Sequence, residues 1–378
     1  MEKNKLRVAF FGDDFSRKGK GTALVIQKIA EELLMRHSHE VEIVLIRPPG
    51  ECRGSVCDKA RSVIVPQRFS TLLSYLWFFI IHRDRYDVIV FNRVVYPGFW
   101  FLRAKRRILF VYDASISEVY FVERTWINLV FEYLLRSIGQ YFLDVVIAVS
   151  DDARKHVITY FKLPTHKVRT LYPGATDGFR TYSESERYQS LSVLEKKYGV
   201  RSPYIVDVSR FDPHKNIHRM LEAFFMLKEK HQIPHKLVFV GGAHTPDYSK
   251  MILGKISASR FANDVLIVDY IDDIDMPALY NCADVVAYPS LVEGFGMPLL
   301  EAMRCGTPVV TSNISCLPEI AAGAALLVDP LSPESIAEGI LKVQNDSELR
   351  AELVAKGLRR AAVFDWTKST EMFLGYCK

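Results

Sequence analysis

The feature that most constrains the fold of this sequence is an alternation of strand-like and helix-like segments, which runs through the chain twice. Strands that alternate with helices form parallel sheets covered by helices on both faces. The segment from Ala23 to Leu34, which follows the first strand pattern, has helical periodicity. In the first half, strand patterns occupy residues 6–12, 41–46, 86–91, 107–112 and 145–150.

The same alternation restarts near residue 203. A chain of 378 residues is longer than one hydrophobic core usually organises. We therefore predict an α/β fold with two Rossmann-like domains facing a cleft, residues 1–175 and residues 176–363. Ligands of such sheets bind beyond the carboxyl ends of the strands. Strand patterns of the second half occupy residues 204–209, 237–241, 265–268, 285–288, 308–311 and 325–328.

Composition narrows the class of protein. Hydrophobic residues make up 49% of the chain, charged residues 25%, and no apolar run approaches the ~20 residues of a membrane span. With no recognisable signal peptide and with six scattered cysteines, we expect a cytosolic protein whose thiols are reduced. Residues 1–175 carry 27 Lys and Arg against 18 Asp and Glu, which favours a phosphate-bearing or membrane partner. Nucleic-acid-binding motifs are absent from the sequence, so we expect no nucleic-acid partner.

The segment VEGFGMPLLEAM, residues 292–303, places two carboxylates in apolar surroundings. Glu293 follows a predicted strand, and Glu301 lies about one turn into a helix in which Pro298 occupies the first turn. Gly294 and Gly296 allow backbone amides to approach a ligand, and a helix N-terminus attracts anions. The segment can thus offer donors to an anion and acceptors to hydroxyl groups. The alternative is a loop carboxylate and a solvated helix carboxylate.

A second group of polar residues follows the first strand of the second half. Arg210 and Lys215 lie in the loop SRFDPHKN, before a helix. Arg offers a planar fork to phosphate oxygens, and Lys adds a compact positive charge. Both side chains are therefore expected at the same sheet edge as Glu293. Taken alone, an Arg and a Lys on a loop are more often ordinary surface cations.

Together these motifs resemble the retaining family 4 glycosyltransferases, which have the GT-B fold. The similar stretches cover most of residues 203–340: R-x4-K in RFDPHK, DMPALYNCADVVAYPS (275–290), E-x7-E at Glu293 and Glu301, EAMRCGTPVV (301–310), LPEI (317–320) and LLVDP (326–330). The first half resembles the family mainly in architecture and in its glycine-bearing loop. Residues 364–378 resemble the terminal helix that returns to the first domain.

The resemblance implies roles for individual residues. The second domain would bind a nucleotide-sugar donor and the first domain the acceptor. Arg210 and Lys215 would bind the diphosphate, Glu293 the transferred sugar and Glu301 the ribose. The remaining donor-site contacts would come from Gly19, Gly21, Gly294, Phe295, Gly296 and Met297.

One departure from the family concerns the first domain. Many relatives end a strand with His-Asp near the transferred sugar, whereas this chain has Tyr112 followed by Asp113. Tyrosine can donate a hydrogen bond but is a poor base near neutral pH. Tyr112 and Asp113 remain candidates for orienting the sugar or acceptor, and a structural strand-end carboxylate is the alternative for Asp113.

No metal or cofactor is expected. Asp273–Ile274–Asp275 resembles the DxD metal motif of another glycosyltransferase fold, but it precedes a predicted helix, where Asp is a favoured N-terminal residue. The nucleotide-sugar is a substrate. The stretch NISCLPEI, residues 313–320, resembles mannosyltransferases, which favours GDP-mannose and leaves UDP-sugars open.

Two segments of the first half combine apolar residues with cations. Residues 72–81, LLSYLWFFII, and residues 96–107, YPGFWFLRAKRR, suit contact with an anionic membrane surface. The alternatives are a helix buried on the sheet and a solvated basic turn. A glycan or lipid-linked acceptor agrees with contact between these segments and a membrane. For the whole protein, the competing functions are a non-catalytic glycan-binding protein and a nucleotide-sugar epimerase or phosphorylase.

Overall fold

The computed structural model describes residues 5–11, 15, 22–50, 52, 55–66, 71–92, 99–112 and 140–378. The chain divides into two compact units. The first domain comprises Met1–Gly174 with Asp365–Lys378, and the second domain comprises Ala175–Phe364. The chain passes from one domain to the other after Gly174 and again after Phe364, each within one residue of the boundary expected from sequence.

The first domain contains a parallel sheet of seven described strands, in the order β3-β2-β1-β4-β5-β6-β7. The central strands are buried on both faces, which explains their continuous apolar runs. The strands are β1 Leu6–Phe11, β2 Val41–Arg47, β3 Arg61–Ile64, β4 Arg85–Asn92, β5 Arg103–Val111, β6 Val145–Ala148 and β7 Val168–Thr170.

Helices cover both faces of this sheet. The terminal helix packs on one face, where the ring of Phe373 lies 6.2 Å from that of Phe10 and 6.0 Å from that of Phe110. On the other face, Phe79 packs against Phe11 at 5.4 Å. The labelled helices of this domain are α1 Thr22–Arg36, α2 Ser55–Lys59, α3 Thr71–Ile81, α4 Asp151–Phe161 and α13 Trp366–Cys377.

The second domain contains a parallel sheet of six strands, in the order β10-β9-β8-β11-β12-β13. All six strands predicted from sequence are present, and the α/β fold is confirmed. They are β8 Tyr204–Val208, β9 Lys236–Val240, β10 Val265–Val268, β11 Val285–Tyr288, β12 Val309–Ser312 and β13 Leu326–Val328.

The core of the second domain lies between its sheet and the helices. Ile205, Leu237 and Val285 from three strands are fully buried together with Phe224 of α6 and Ile340 of α11. The helices are α5 Glu184–Tyr198, α6 Ile217–His231, α7 Pro246–Ser257, α8 Met276–Cys282, α9 Met297–Arg304, α10 Leu317–Ala321, α11 Pro333–Asn345 and α12 Ser347–Ala361.

The basic part of residues 96–107 is a strand, which corrects its interpretation as a solvated turn. It forms the start of β5 and pairs with β4. Three of its four cations are engaged within the domain: Lys105 lies 2.6 Å from Asp87, Arg106 donates to the carbonyl of Tyr376 and Arg107 donates to that of Leu102. The strand predicted at residues 107–112 thus begins earlier, at Arg103, because its first residues alternate between exposed and half-buried positions and lack a continuous apolar run.

A disulfide corrects a second expectation. Cys52 and Cys57 are bonded to each other, with their Cα atoms 5.6 Å apart. The short helix α2 begins between them and brings Cys57 back toward Cys52. Sequence reasoning expected reduced thiols at both positions. The remaining cysteines, at positions 282, 305, 316 and 377, are buried thiols.

Helix α3 contains residues 72–81 and has two different faces. Tyr75, Phe78 and Phe79 are buried in the core of the first domain. Leu73 and Ile80 are each at least half exposed. The segment therefore packs on the sheet through one face and presents apolar side chains on the other. Within the described residues, no helix has the length and apolar character needed to cross a bilayer.

Candidate active site

The loop after β8 carries Arg210 and Lys215 and is fixed by a buried asparagine. Asn216 adopts a left-handed conformation, with φ of 63°, immediately before α6. Its side-chain amide donates to the carbonyls of Pro289, at 3.0 Å, and Pro330, at 2.7 Å. One side chain thus joins the loops that follow β8, β11 and β13, and it holds them at the carboxyl edge of the sheet.

Lys215 and Glu293 meet at this edge. Lys215 Nζ lies 2.6 Å from Glu293 Oε1 and 3.1 Å from the hydroxyl of Tyr288. The Tyr288 hydroxyl donates to the same carboxylate oxygen at 2.5 Å. The lysine and glutamate side chains are only 15% and 11% exposed. Two loop residues and the last residue of β11 therefore form one compact, largely buried polar cluster.

This cluster keeps Glu293 ionised. Burial opposes the charged form, but the charge of Lys215 and hydrogen bonds from Lys215 and Tyr288 hold the pKa of Glu293 below its usual value. Burial raises the pKa of Tyr288 well above its usual value, so its hydroxyl remains a donor. Glu293 is consequently a carboxylate that can accept hydrogen bonds from hydroxyl groups.

Arg210 belongs to a separate network in the same loop. Its Nη1 lies 3.0 Å from His244 Nε2, and its Nη2 lies 3.6 Å from Asp212 Oδ2. The Arg210 side chain is 58% exposed, whereas that of Asp212 is 8% exposed. Burial opposes ionisation of Asp212, yet hydrogen bonds from Thr245 and His244 hold its pKa below the usual value. An accessible guanidinium thus contacts His244 and lies close to a buried carboxylate.

The glycine-marked loop after β11 presents backbone rather than side chains. Gly296 has φ of 89°, and a Cβ there would lie 2.9 Å from a methyl group of Leu317. Phe295 is buried, and its ring packs edge-on against Phe364 at 5.4 Å. Helix α9 begins at Met297, as predicted. Any contact of Phe295 or Gly296 with a ligand would therefore come from the main chain.

Glu301 lies one turn into α9 and differs from Glu293 in protonation. Burial raises the pKa of Glu301 to about 7. The Tyr280 hydroxyl donates to Glu301 Oε2 at 2.9 Å, from the neighbouring helix α8. At neutral pH this group can accept or donate hydrogen bonds, both of which suit a pair of vicinal hydroxyls.

Of the four candidate residues in the first domain, the structure describes only Tyr112. Gly19, Gly21 and Asp113 lie outside the described residues. Tyr112 follows β5, and its ring stacks on that of Phe110 with centroids 6.3 Å apart. The roles of these four residues stay predictions.

The DxD-like segment has a structural partner in the second domain. Asp275 Oδ2 lies 2.8 Å from both Lys197 Nζ and the Tyr198 hydroxyl, and the residue immediately precedes α8. Across the part of the chain that the structure describes, no group of three or more His, Cys, Asp or Glu side chains has an arrangement that could hold a metal ion.

Sequence reasoning missed several members of the site. Tyr280 and Tyr288 could have been singled out, because a tyrosine in an otherwise apolar segment needs a partner for its hydroxyl. His244 lies in the sequence VGGAHT, just after the strand predicted at residues 237–241, and this position at a strand end was the signal for it. Asp207 is fully buried at the end of β8, where a hydrogen bond from Ser209 engages one of its oxygens. An acidic residue within an apolar strand was the signal for Asp207.

Two α/β domains that each contain a parallel sheet, with cations and carboxylates at the carboxyl edge of the second sheet, are typical of glycosyltransferases of GT-B fold. The family described as Glycosyl transferases group 1 matches residues 195–360. Glycosyltransferase Family 4 matches residues 19–177. The chain belongs to the family 4 glycosyltransferases, which confirms the resemblance seen in the sequence.

Similar proteins include mannosyltransferases of Escherichia coli. O-antigen chain mannosyltransferase B is 31% identical over 226 residues, which cover 60% of this chain and 58% of that protein. The serotype-specific mannosyltransferase WbdA is 28% identical over 229 residues, which cover 61% of this chain and 28% of that protein. The chain thus matches less than two thirds of the length of either relative.

Solved structures with low sequence identity share the fold. Sucrose-phosphate synthase from Thermosynechococcus elongatus has a TM-score of 0.77 at 19% identity, with 98% of both chains covered. Anabaena HepE in complex with UDP and glucose has a TM-score of 0.75 at 19% identity, again with 98% of both chains covered. WaaG, a glycosyltransferase involved in lipopolysaccharide biosynthesis, has a TM-score of 0.71 at 18% identity and covers 97% of this chain and 98% of its own.

Proposed function

We propose that this protein is a retaining hexosyltransferase that moves a sugar from a nucleotide diphosphate donor to a glycan or lipid-linked acceptor, in cell-surface polysaccharide biosynthesis. The observation that carries the proposal is the cluster in which Lys215 contacts Glu293 at 2.6 Å, beside the accessible Arg210 on the same loop. A diphosphate needs cations and a sugar needs hydrogen-bond acceptors. This sheet edge offers both.

In the proposed mechanism, Arg210 and Lys215 bind the diphosphate and stabilise the charge that grows on it. The anomeric C–O bond breaks, and its electron pair passes to the phosphate oxygen. The acceptor hydroxyl attacks the same face of the sugar and gives its proton to the departing phosphate. Cations that are fixed where charge develops lower the barrier directly. The mechanism assigns this stabilisation to side chains and requires neither a metal nor an enzymic nucleophile.

The two glutamates would distinguish parts of the donor. Glu293 is held ionised by Lys215, so it accepts hydrogen bonds from hydroxyls of the transferred sugar. Glu301 is held by Tyr280 and would engage the ribose hydroxyls. Main-chain amides of residues 294–297 complete the donor site. In the first domain, Gly19 and Gly21 would approach the phosphates.

GDP-mannose is the favoured donor. The relatives named as mannosyltransferases support mannose as the transferred sugar. A UDP-sugar is the alternative. Its support is weaker, because the solved neighbours in complex with UDP or UDP-glucose share only the fold with this chain. The donor screen below discriminates between the two nucleotides.

We further propose that the protein works as a peripheral protein on the cytoplasmic face of a membrane. The exposed apolar side chains of α3 and the excess of cations in residues 1–175 support contact with an anionic surface. A lipid-linked acceptor would be reached most readily from that position.

Release of nucleoside diphosphate, measured with and without candidate acceptors, tests the proposed activity. We expect release from GDP-mannose that rises when a mannose-containing lipid-linked glycan is added, and an α-linked product by NMR. An epimerase would alter the donor sugar without release. A glycan-binding protein would leave the donor unchanged, and either outcome would contradict the proposal.

A further inference from the structure

We propose that His244 and Asp212 are positioning residues for Arg210, and that His244 does this as a neutral hydrogen-bond relay. The inference rests on the proposed function, because it concerns the cation assigned to the donor diphosphate. Arg210 Nη1 contacts His244 Nε2 at 3.0 Å, and His244 Nδ1 contacts Asp212 Oδ1 at 2.7 Å. The three side chains therefore form one continuous chain of hydrogen bonds.

The two loops that carry this chain are fixed to each other by main-chain bonds. The Phe211 N–H donates to the carbonyl of Gly242 at 2.9 Å, and the Thr245 N–H donates to the carbonyl of Phe211 at 3.2 Å. His244 lies between these two anchoring points on its loop. Its imidazole is consequently held beside the Arg210 loop by the backbone and not only by its own side-chain contacts.

The chemistry of the partners determines which nitrogen of His244 carries the proton. An ionised Asp212 only accepts, so Nδ1 must donate to it. A guanidinium only donates, so Nε2 must accept from Arg210. Both bonds form together only in the neutral imidazole with its proton on Nδ1. A second proton on Nε2 would turn that acceptor into a donor facing the guanidinium.

Asp212 supplies the rigid end of the relay. Its carboxylate is buried, and the Thr245 hydroxyl donates to Oδ1 at 2.5 Å, the same oxygen that His244 contacts. Arg210 Nη2 is 3.6 Å from Oδ2, beyond ordinary hydrogen-bond distance. The arginine is thus oriented mainly through a neutral ring.

This arrangement differs from that of the other cation in the site. Lys215 contacts the carboxylate of Glu293 directly, and the two charges compensate each other at 2.6 Å. Arg210 instead donates its hydrogen bond to an uncharged acceptor and lies 3.6 Å from the Asp212 carboxylate, so its direction is restrained while its exposed guanidinium stays accessible to a phosphate. Restraint of a cation where charge grows is the condition for transition-state stabilisation.

Two substitutions at His244 separate the two halves of the relay. His244→Asn can still donate to Asp212 but is too short to accept from Arg210. His244→Gln can place an amide oxygen near the position of Nε2. We expect His244→Asn to lower kcat about tenfold, the effect of losing one hydrogen bond to a charged group, with KM for the donor changed less than about threefold. His244→Gln should restore most of the loss.

A double-mutant cycle then tests whether the effect passes through Arg210. In an Arg210→Ala background, His244→Asn should change kcat by less than about twofold, since the interaction is already absent. The matched control is His231→Asn, at an exposed histidine in the last turn of α6. It should leave kcat and the melting temperature unchanged.

Arginine side-chain NMR of the intact protein keeps the inference separate from the proposed function. The guanidinium resonances of Arg210 should be ordered in the wild type and in His244→Gln, and averaged toward free arginine in His244→Asn. Equal resonances in all three proteins, or additive effects in the cycle, would overturn the relay. Failure of every donor to react, with the NMR result as expected, would overturn the proposed activity and leave the relay standing.

Discussion

Lys215 Nζ lies 2.6 Å from Glu293 Oε1, although the two residues come from different loops. The Tyr288 hydroxyl contacts both groups. The cation assigned to the diphosphate and the carboxylate assigned to the sugar are therefore one ion pair. A donor that binds here must share the pair rather than meet two independent side chains, which would couple recognition of the phosphate to recognition of the sugar.

This pair predicts an asymmetric effect on stability. Lys215→Met leaves Glu293 buried without its counter-ion, so the free energy of unfolding should fall by about 3 kcal/mol. Adding Glu293→Gln should recover most of that loss, because the uncompensated charge is then removed. Urea denaturation of both variants checks the prediction.

The exposed pair Lys255–Glu222 supplies the control for that comparison. Its side chains are 40% and 41% exposed, so Lys255→Met should cost less than about 1 kcal/mol. Equal losses at the two lysines would contradict the buried character assigned to the Lys215 pair.

Arg210→Ala should lower kcat on the order of 10²–10³-fold, by analogy with the loss of one preorganised donor at a developing negative charge. Steady-state release of nucleoside diphosphate measures the effect. Arg260→Ala is the control, since Arg260 is an exposed arginine of the same domain that forms an ion pair with the exposed Glu229. An Arg210→Ala variant within threefold of wild type would show that Arg210 does not stabilise the leaving group.

Asp207 predicts a pH-dependent stability. Burial raises its pKa to about 7, against the effects of Ser209 and Lys215, whereas an unfolded aspartate titrates near ~3.9. The folded state therefore keeps a proton that the unfolded state has lost, and this contribution to stability disappears as the pH rises from about 4 to about 7. Relative to wild type, Asp207→Asn should gain roughly 2–3 kcal/mol between about pH 5 and pH 8.

Denaturation curves of wild type and Asp207→Asn across that interval measure the difference. The asparagine has the same shape and cannot ionise, so the gain should appear only on the alkaline side. A difference that stays constant with pH would mean that Asp207 is already ionised in the folded protein.

Membrane contact through α3 predicts binding to anionic vesicles. The wild type should co-sediment with vesicles rich in phosphatidylglycerol at low salt, and Leu73→Glu with Ile80→Glu should abolish most of the binding. Ile274→Glu is the control, because Ile274 is 82% exposed in the second domain. Equal binding by all three proteins, or no binding by the wild type, would contradict membrane contact through α3.

The strands were the most predictable part of the fold. Parallel strands buried on both faces require continuous apolar runs, as in β8 and β11. Strand β3, with the sequence RSVI, is largely exposed at a sheet edge and lacks such a run. Strand β7 has only three residues. Neither was predicted, because an exposed or very short strand carries little pattern.

The site was predictable as a location but not as a set of contacts. Sequence reasoning placed Lys215 and Glu293 at one sheet edge, because both follow strands of a parallel sheet. Their ion pair depends on loop conformations that Asn216 fixes through distant carbonyls. His244 follows a third strand, and its contact with Arg210 likewise requires the tertiary ties between loops. Such ties leave no periodic signal in the sequence.

The most direct test of the central claim is a thermal-shift titration of wild type and Arg210→Ala with GDP-mannose, UDP-glucose and other nucleotide-sugars. A ligand that binds the folded state raises the melting temperature according to its affinity. We predict a concentration-dependent rise for the wild type, largest with GDP-mannose, that is strongly reduced in Arg210→Ala. No rise with any activated sugar, or an equal rise in both proteins, would contradict the claim that this sheet edge binds the donor diphosphate.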